Sequence, residues 1–289
     1  MAGLGRRRII FTLLAHTAEI DMAMHRGMTR AMGDPSTDNA PIVQLLLTMS
    51  FSPSLDDISI IDIAGLYEIF RPEFPVFRQI ARAAPMSYTL IDNEPIFPQI
   101  TGTPRVAFST ADTSKKIFFQ NDRLSLGWDR ISTLEAAAEY PGFVATFAEF
   151  SAHLARVRDW ASAKGMDIQP SVGEIVYTDA FALQVGADQR IRTTADIFSV
   201  INPAVVFPIL QFDHSWSEPL PAGMKGYVDG SASGPALSPA GTPMVMLETT
   251  AHFDLAGDWS AIEDRFDDVH LAITAIFERV VNPSARVTL

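Results

Sequence analysis

Two stretches of this chain repeat apolar side chains at steps of three and four, and nothing else in the sequence limits the fold as strongly. Phe143, Phe147, Phe150, Leu154 and Val157 make the first stripe; Trp259, Ile262, Phe266, Val269, Ile273, Phe277 and Val280 make the second. At 3.6 residues per turn each set falls on one side of a helix, and an apolar stripe has to be covered by another layer. Strands supply that layer. Segments preceding each long helix alternate apolar and polar residues with the period of two that a half-buried sheet imposes.

In the first half, Ile42–Phe51 reads as a strand carrying Val43, Leu45, Leu47 and Phe51, bounded by Pro41 and by Ser52-Pro53. Ile60–Phe70 sets Ile63, Leu66, Tyr67 and Phe70 at helical spacing, and Pro72 stops it. Val76–Ile91, Arg105–Thr110, Lys116–Gln120 and Arg123–Trp128 follow as extended segments, with Gln120-Asn121-Asp122 as a hairpin tip. After the first long helix come a strand at Ser171–Leu183, a short helix at Thr193–Ile201, and strands at Val205–Trp216, Gly223–Asp229 and Pro243–Phe253. Ser260 with Glu263 three residues on forms the spacing of a capping box for the last helix. The run Gly226–Gly234, continuing to Gly241-Thr242-Pro243, has no helix after it, so it reads as a mobile hairpin loop rather than a phosphate cradle.

With the extended segment Val76–Ile91 set aside, both halves read strand, helix, three strands, helix. The fold class this implies is α+β: two similar units, residues 40–165 and 166–289, meeting near Lys164-Gly165, with largely antiparallel sheets each covered by a long helix. The repeat is one of pattern, which internal duplication and convergence on a common layout both explain. Residues 1–39 stand apart. Arg6-Arg7-Arg8 before Ile9–Ala15 has the outline of a secretory leader, but His16, Glu19 and Asp21 follow with no small-x-small cleavage site. Met24, Met28 and Met32 all precede the first strand, which suggests an over-extended start or a disordered tail.

With 289 residues, 47% of them hydrophobic, the chain can bury roughly three quarters of its unfolded surface, so it needs no covalent staples. It has no cysteine, which excludes disulfides, thiolate metal sites and cysteine nucleophiles. A net charge of -12 repels phosphate backbones and argues against nucleic acid as a partner. No run approaches the roughly 18–20 apolar residues of a membrane span, and the expected location is the cytoplasm.

The chain resembles a sporadically distributed family of bacterial proteins, about 250–290 residues long, that has no assigned activity. The likeness lies in the Pro41 opening strand, Phe74-Pro75, Asp122–Trp128, Tyr140-Pro141-Gly142-Phe143, Ile175–Asp179 and the His270–Phe277 stretch. The resemblance implies a fold rather than a reaction, and Asp179 stands where it would lead one to expect asparagine.

Nucleotide-binding glycine loops, the GxSxG elbow and the HExxH zinc helix are all missing from the sequence. The candidates for chemistry lie on two strands of the second half. Period-two alternation puts Phe212, His214 and Trp216 on one side of a strand, with Asp213 on the other. It sets Glu248 and His252 opposite an apolar face formed by Val245, Leu247, Ala251 and Phe253. If those strands pair, Asp213 or His214 can approach Glu248 or His252, an arrangement suited to acid–base chemistry or a weak metal site. The competing reading is a solvated sheet face. Trp128, Tyr177 and Trp216 are candidate ligand contacts, while His153 and His270 read as residues at the helix–sheet boundary. The function expected is that of a non-enzymatic binding or accessory protein without cofactor or metal, recognising a protein partner or a small apolar ligand. A hydrolase or lyase using Asp213, His214, Glu248 and His252 is the alternative, and a self-associating structural subunit, a homo-oligomer, is the third.

Overall fold

Strand β1 (Ile42–Ser52) forms because Leu45, Leu47, Met49 and Phe51 alternate with Gln44, Thr48 and Ser50. It is one of two central strands in a nine-stranded antiparallel sheet. The computed structural model describes residues 41–84, 86, 105–130, 140–185, 190, 191, 193–199, 212–237 and 243–286. Along the chain come α1 (Ile60–Phe70), β2 (Val76–Ile80), β3 (Arg105–Ser109), β4 (Lys115–Gln120), β5 (Arg123–Asp129) and α2 (Phe143–Ala163). The second half holds β6 (Gln169–Ala182), the paired β7 (Gln184–Val185) and β8 (Arg190–Ile191), α3 (Thr194–Ile197), β9 (Phe212–Pro219), β10 (Gly226–Leu237), β11 (Pro243–Asp254) and α4 (Ile262–Val280).

The expectation of separate sheets, each under its own helix, is overturned. The strand order is β2-β3-β4-β5-β1-β6-β11-β10-β9, a continuous sheet in which β1 and β6 pair directly, Leu45 with Tyr177 and Leu47 with Ile175. The cause is visible in the topology. In each half the first strand pairs on one side only, with β5 or with β11, and its other edge would expose a long row of unpaired backbone groups. Pairing β1 with β6 satisfies both edges at once. The order β3-β4-β5-β1 is answered by β9-β10-β11-β6, so the pattern repeat in the sequence appears as a repeated strand order about the central seam.

Both long helices lie on the same face of the sheet. Phe147 and Phe150 of α2 meet Phe266 of α4 at 5.2 and 5.7 Å between ring centroids, and Phe143 stacks on His270 at 4.0 Å, so the two helices run antiparallel, side by side. Helix α1 packs beside α2, its Phe70 against Phe108 of β3 and His153 of α2. The boundary position expected for His153 is therefore wrong: it is 1% exposed, its Nε2 lies 3.8 Å from a Glu149 carboxylate oxygen, and among the described residues neither ring nitrogen makes a hydrogen bond. The opposite face of the sheet is mostly polar, with Thr48 donating to Ser125 at 3.0 Å.

Other local expectations are corrected as well. The Gly226–Gly234 part of the glycine-bearing run is no loop, because β10 continues through Gly230 to Leu237; residues 238–242 lie outside the described residues. A Cβ on Gly230 would sit 2.0 Å from the ring of Trp216, so the cross-strand aromatic covers the backbone the glycine leaves bare. Gly173 lies under Phe253 in the same way, at 2.3 Å. Gly173→Ala is accordingly expected to overpack the core and cost about 1–3 kcal/mol in urea unfolding, and an unchanged midpoint would show that Phe253 moves aside freely.

The last helix is entered through a 3-10 turn, Trp259–Ala261, capped by Asp258 accepting from the Ser260 amide at 2.8 Å, rather than by a Ser260–Glu263 box. The short helix spans only Thr194–Ile197, held by a Thr193/Asp196 capping box. Of the extended segments expected at 76–91 and 205–216, the described strands are Val76–Ile80 and Phe212–Pro219; residues 87–91 and 205–211 lie outside the described residues, as do 1–40. No helix among the described residues is long and apolar enough to cross a membrane.

Candidate functional site

The four residues singled out on the second-half strands are not brought together, because β9 and β11 do not pair. Strand β10 lies between them, which separates their backbones by about 10 Å at the usual strand spacing. His214, opposite Ala232, is exposed on the helix side, its ring 6.0 Å from Trp216, while Asp213 is exposed on the other side. Glu248 and His252 project from β11 on the face away from the helices. His252 lies across from Glu174, with Nδ1 3.4 Å from its Oε2 but without hydrogen-bonding geometry. Burial pushes its imidazole below the ordinary histidine range, outweighing the attraction of Glu174. Among the described residues no group of three or more metal-ligating side chains gathers.

The aromatic candidates divide. Trp128 is 2% exposed and packs on Tyr140, a core position. Trp216 is half-buried over Gly230. Tyr177 is different, because it borders a cavity of about 60 Å³ between the sheet and α4.

Four elements build this cavity. Strand β6 presents Ile175, Tyr177, Asp179 and Phe181 toward the helices by its period of two, and β11 adds Thr249 across from Tyr177. Strand β1 contributes Ile42, where a register shift between Ile42 and Gln44 disturbs its pairing with β6. Helix α4 lays His270, Ile273, Thr274 and Phe277 over the opening. His270 belongs to the apolar stripe itself, four residues after Phe266 and three before Ile273. Its Nδ1 lies 3.0 Å from the Tyr177 hydroxyl, while the Phe143 ring stacks nearly parallel on the imidazole.

Asp179 is the unusual member. It is 3% exposed, lines the cavity, and has no hydrogen bond or ion pair among the described residues. Taking an unpaired carboxylate out of water is costly, so burial pushes its pKa up to about 8 and keeps it protonated at neutral pH. Thr249, 2% exposed on the next strand, likewise makes no side-chain hydrogen bond among the described residues. A protonated acid, a hydroxyl and a Tyr–His pair thus surround one small space with apolar walls. Motif reading passed over Asp179 as a site residue; its signal was parity, an acid at an inward position of a strand whose other inward residues are Ile175, Tyr177 and Phe181.

No protein-family profile matches the chain, and no curated protein is similar to it. The geometry beneath α4 is therefore what bears on function.

Proposed function

We propose that the protein is a non-catalytic binding protein, and that the cavity beneath α4 takes the polar end of a small, mainly apolar ligand. Asp179 carries this reading: a buried carboxyl without a partner among the described residues, directed into a space whose remaining walls include Ile42, Ile273 and Phe277. Apolar walls with a few placed polar groups are the usual form of a small-ligand site. Volume sets how much can enter. At about 30 Å³ per water, the cavity holds one terminal group, and the rest of the ligand lies along the half-buried rim of His270, Thr274 and Phe277.

Thermal-shift titrations with n-butylamine hydrochloride, butyramide, n-butanol and sodium butyrate test the reading. At least one is expected to raise the unfolding midpoint progressively, with the logarithm of its concentration once that exceeds Kd, as any ligand that binds only the folded state must. Thr249→Leu, which fills the space with carbon, is expected to abolish the effect. A rise undiminished in that variant would put the binding elsewhere, and no response to any of the four would sink the reading.

A further inference from the structure

We infer that the cavity beneath α4 receives the ammonium end of a primary alkylamine, an inference that rests on the small-ligand reading above. The first ground is the polarity of its lining. Asp179 offers carboxyl oxygens and Thr249 a hydroxyl oxygen, while Thr274 donates its own proton to the His270 carbonyl at 2.9 Å and so can only accept from a ligand. Three acceptors border one space that no lysine or arginine lines among the described residues. An alkylammonium is the small group with three N–H donors on one atom. An amide carries two donors and an acceptor, and a quaternary ammonium has no N–H to offer these oxygens.

The second ground is charge. A buried carboxyl with no counter-charge among the described residues lacks the very group an ammonium supplies, and a charge-assisted hydrogen bond to it is about twice as strong as a neutral one. The titratable groups facing Asp179 are Tyr177 from its own strand and His270 from α4; β1 and β11 contribute Ile42, Leu247 and Thr249, which do not titrate. Aromatic rings at Tyr177 and Phe277 favour a cation further, and Ile42 with Ile273 gives the adjoining methylenes an apolar wall.

Entry of the ammonium exchanges one positive charge for another. Asp179 arrives protonated, ionises as its oxygen accepts the N–H bond, and releases its proton to solvent; the amine keeps its three protons throughout. Calorimetry with n-butylamine hydrochloride in buffers of different ionisation heat reads that proton directly. About one proton is expected to leave per ligand bound at pH 6 to 7, with affinity rising about tenfold per pH unit until the carboxyl is ionised. Above about pH 10 the amine loses its own charge and affinity falls again. Asp179→Asn keeps the shape of the site and is expected to lose the proton release and at least about tenfold in affinity.

Four results would overturn the inference. Binding of butyramide or n-butanol, blocked by Thr249→Leu, without binding of butylamine would reject the amine while leaving the small-ligand reading intact. Failure of all four probes would remove both. Butylamine binding without proton release, or unchanged in Asp179→Asn, would mean that Asp179 is not its partner. An equal effect from potassium chloride at the same ionic strength would show a site for inorganic cations instead.

Discussion

Phe266→Ala is expected to destabilise the protein by about 3–5 kcal/mol, the range for emptying a buried phenylalanine site. The ring is fully buried, and its three aromatic neighbours belong to two other elements of the fold: Phe147 and Phe150 on α2 and Phe253 on β11, at 5.2, 5.7 and 4.9 Å between centroids. Truncation leaves a void that none of these can fill without moving a helix off the sheet. Domains are held by about 5–15 kcal/mol in total, so the loss should appear as a large fall in urea midpoint at unchanged slope. Ile61→Ala, at a site 79% exposed, serves as the control and is expected to stay within about 0.5 kcal/mol. A Phe266→Ala cost below about 1 kcal/mol would show that α4 does not dock through this ring.

Asp179→Asn is expected to stabilise the protein, and by an amount that depends on pH. In the unfolded chain the carboxyl titrates near its ordinary value of about 3.9. In the folded chain burial holds it protonated up to about 8. Between those values the folded state keeps a proton that the unfolded state has released, so stability falls as pH rises, by up to about 1.4 kcal/mol per pH unit. Above the folded value both states are ionised and the penalty is constant; below the unfolded value both are protonated and it vanishes. Asparagine carries no such charge. The variant should therefore exceed the parent by several kcal/mol near pH 8, with the gap closing toward pH 4. Comparing the two chains at each pH cancels the titration of every other group. A gap that does not vary with pH, or a variant weaker than the parent at pH 8, would show that Asp179 is not buried uncharged.

The fold was legible wherever one local rule acted alone. Ile60–Phe70 has the expected helical limits because Ser59 and Asp62 cap it and Phe70 closes the stripe. Strands β3, β4 and β5 were readable from alternation and from a polar hairpin tip. Gly230 misled because a glycine's propensity speaks for a turn, whereas a tryptophan one strand away makes it a sheet residue. His153 misled because helical spacing gives an angle but not the partner, and the partners were Phe70 at the end of α1 and Phe74 just beyond it.

The candidate site was legible in fragments. Tyr177 was marked as a contact and His270 as a helix–sheet residue, yet 93 positions separate them along the chain before their 3.0 Å contact. Asp213, His214, Glu248 and His252 appeared as one cluster only on the assumption that β9 and β11 are neighbours. Strand pairing is a non-local choice that no alternation encodes, and the insertion of β10 dissolved the cluster.

By itself the sequence determined the elements, the inward parity of each strand and the stripes of both long helices, because these follow from the repeat lengths of the backbone and from the need to bury apolar side chains. It also determined what chemistry is barred by a chain without cysteine. Only the tertiary structure decided that two open strand edges would close on each other, so that one sheet rather than two lies under α2 and α4. That closure sets Ile42 of β1 against Asp179 of β6, with α4 above, and it leaves a carboxyl enclosed with no partner among the described residues. The physical reason is that hydrogen bonding between strands and the desolvation of a charge depend on what lies across space, which neighbours along the chain do not specify.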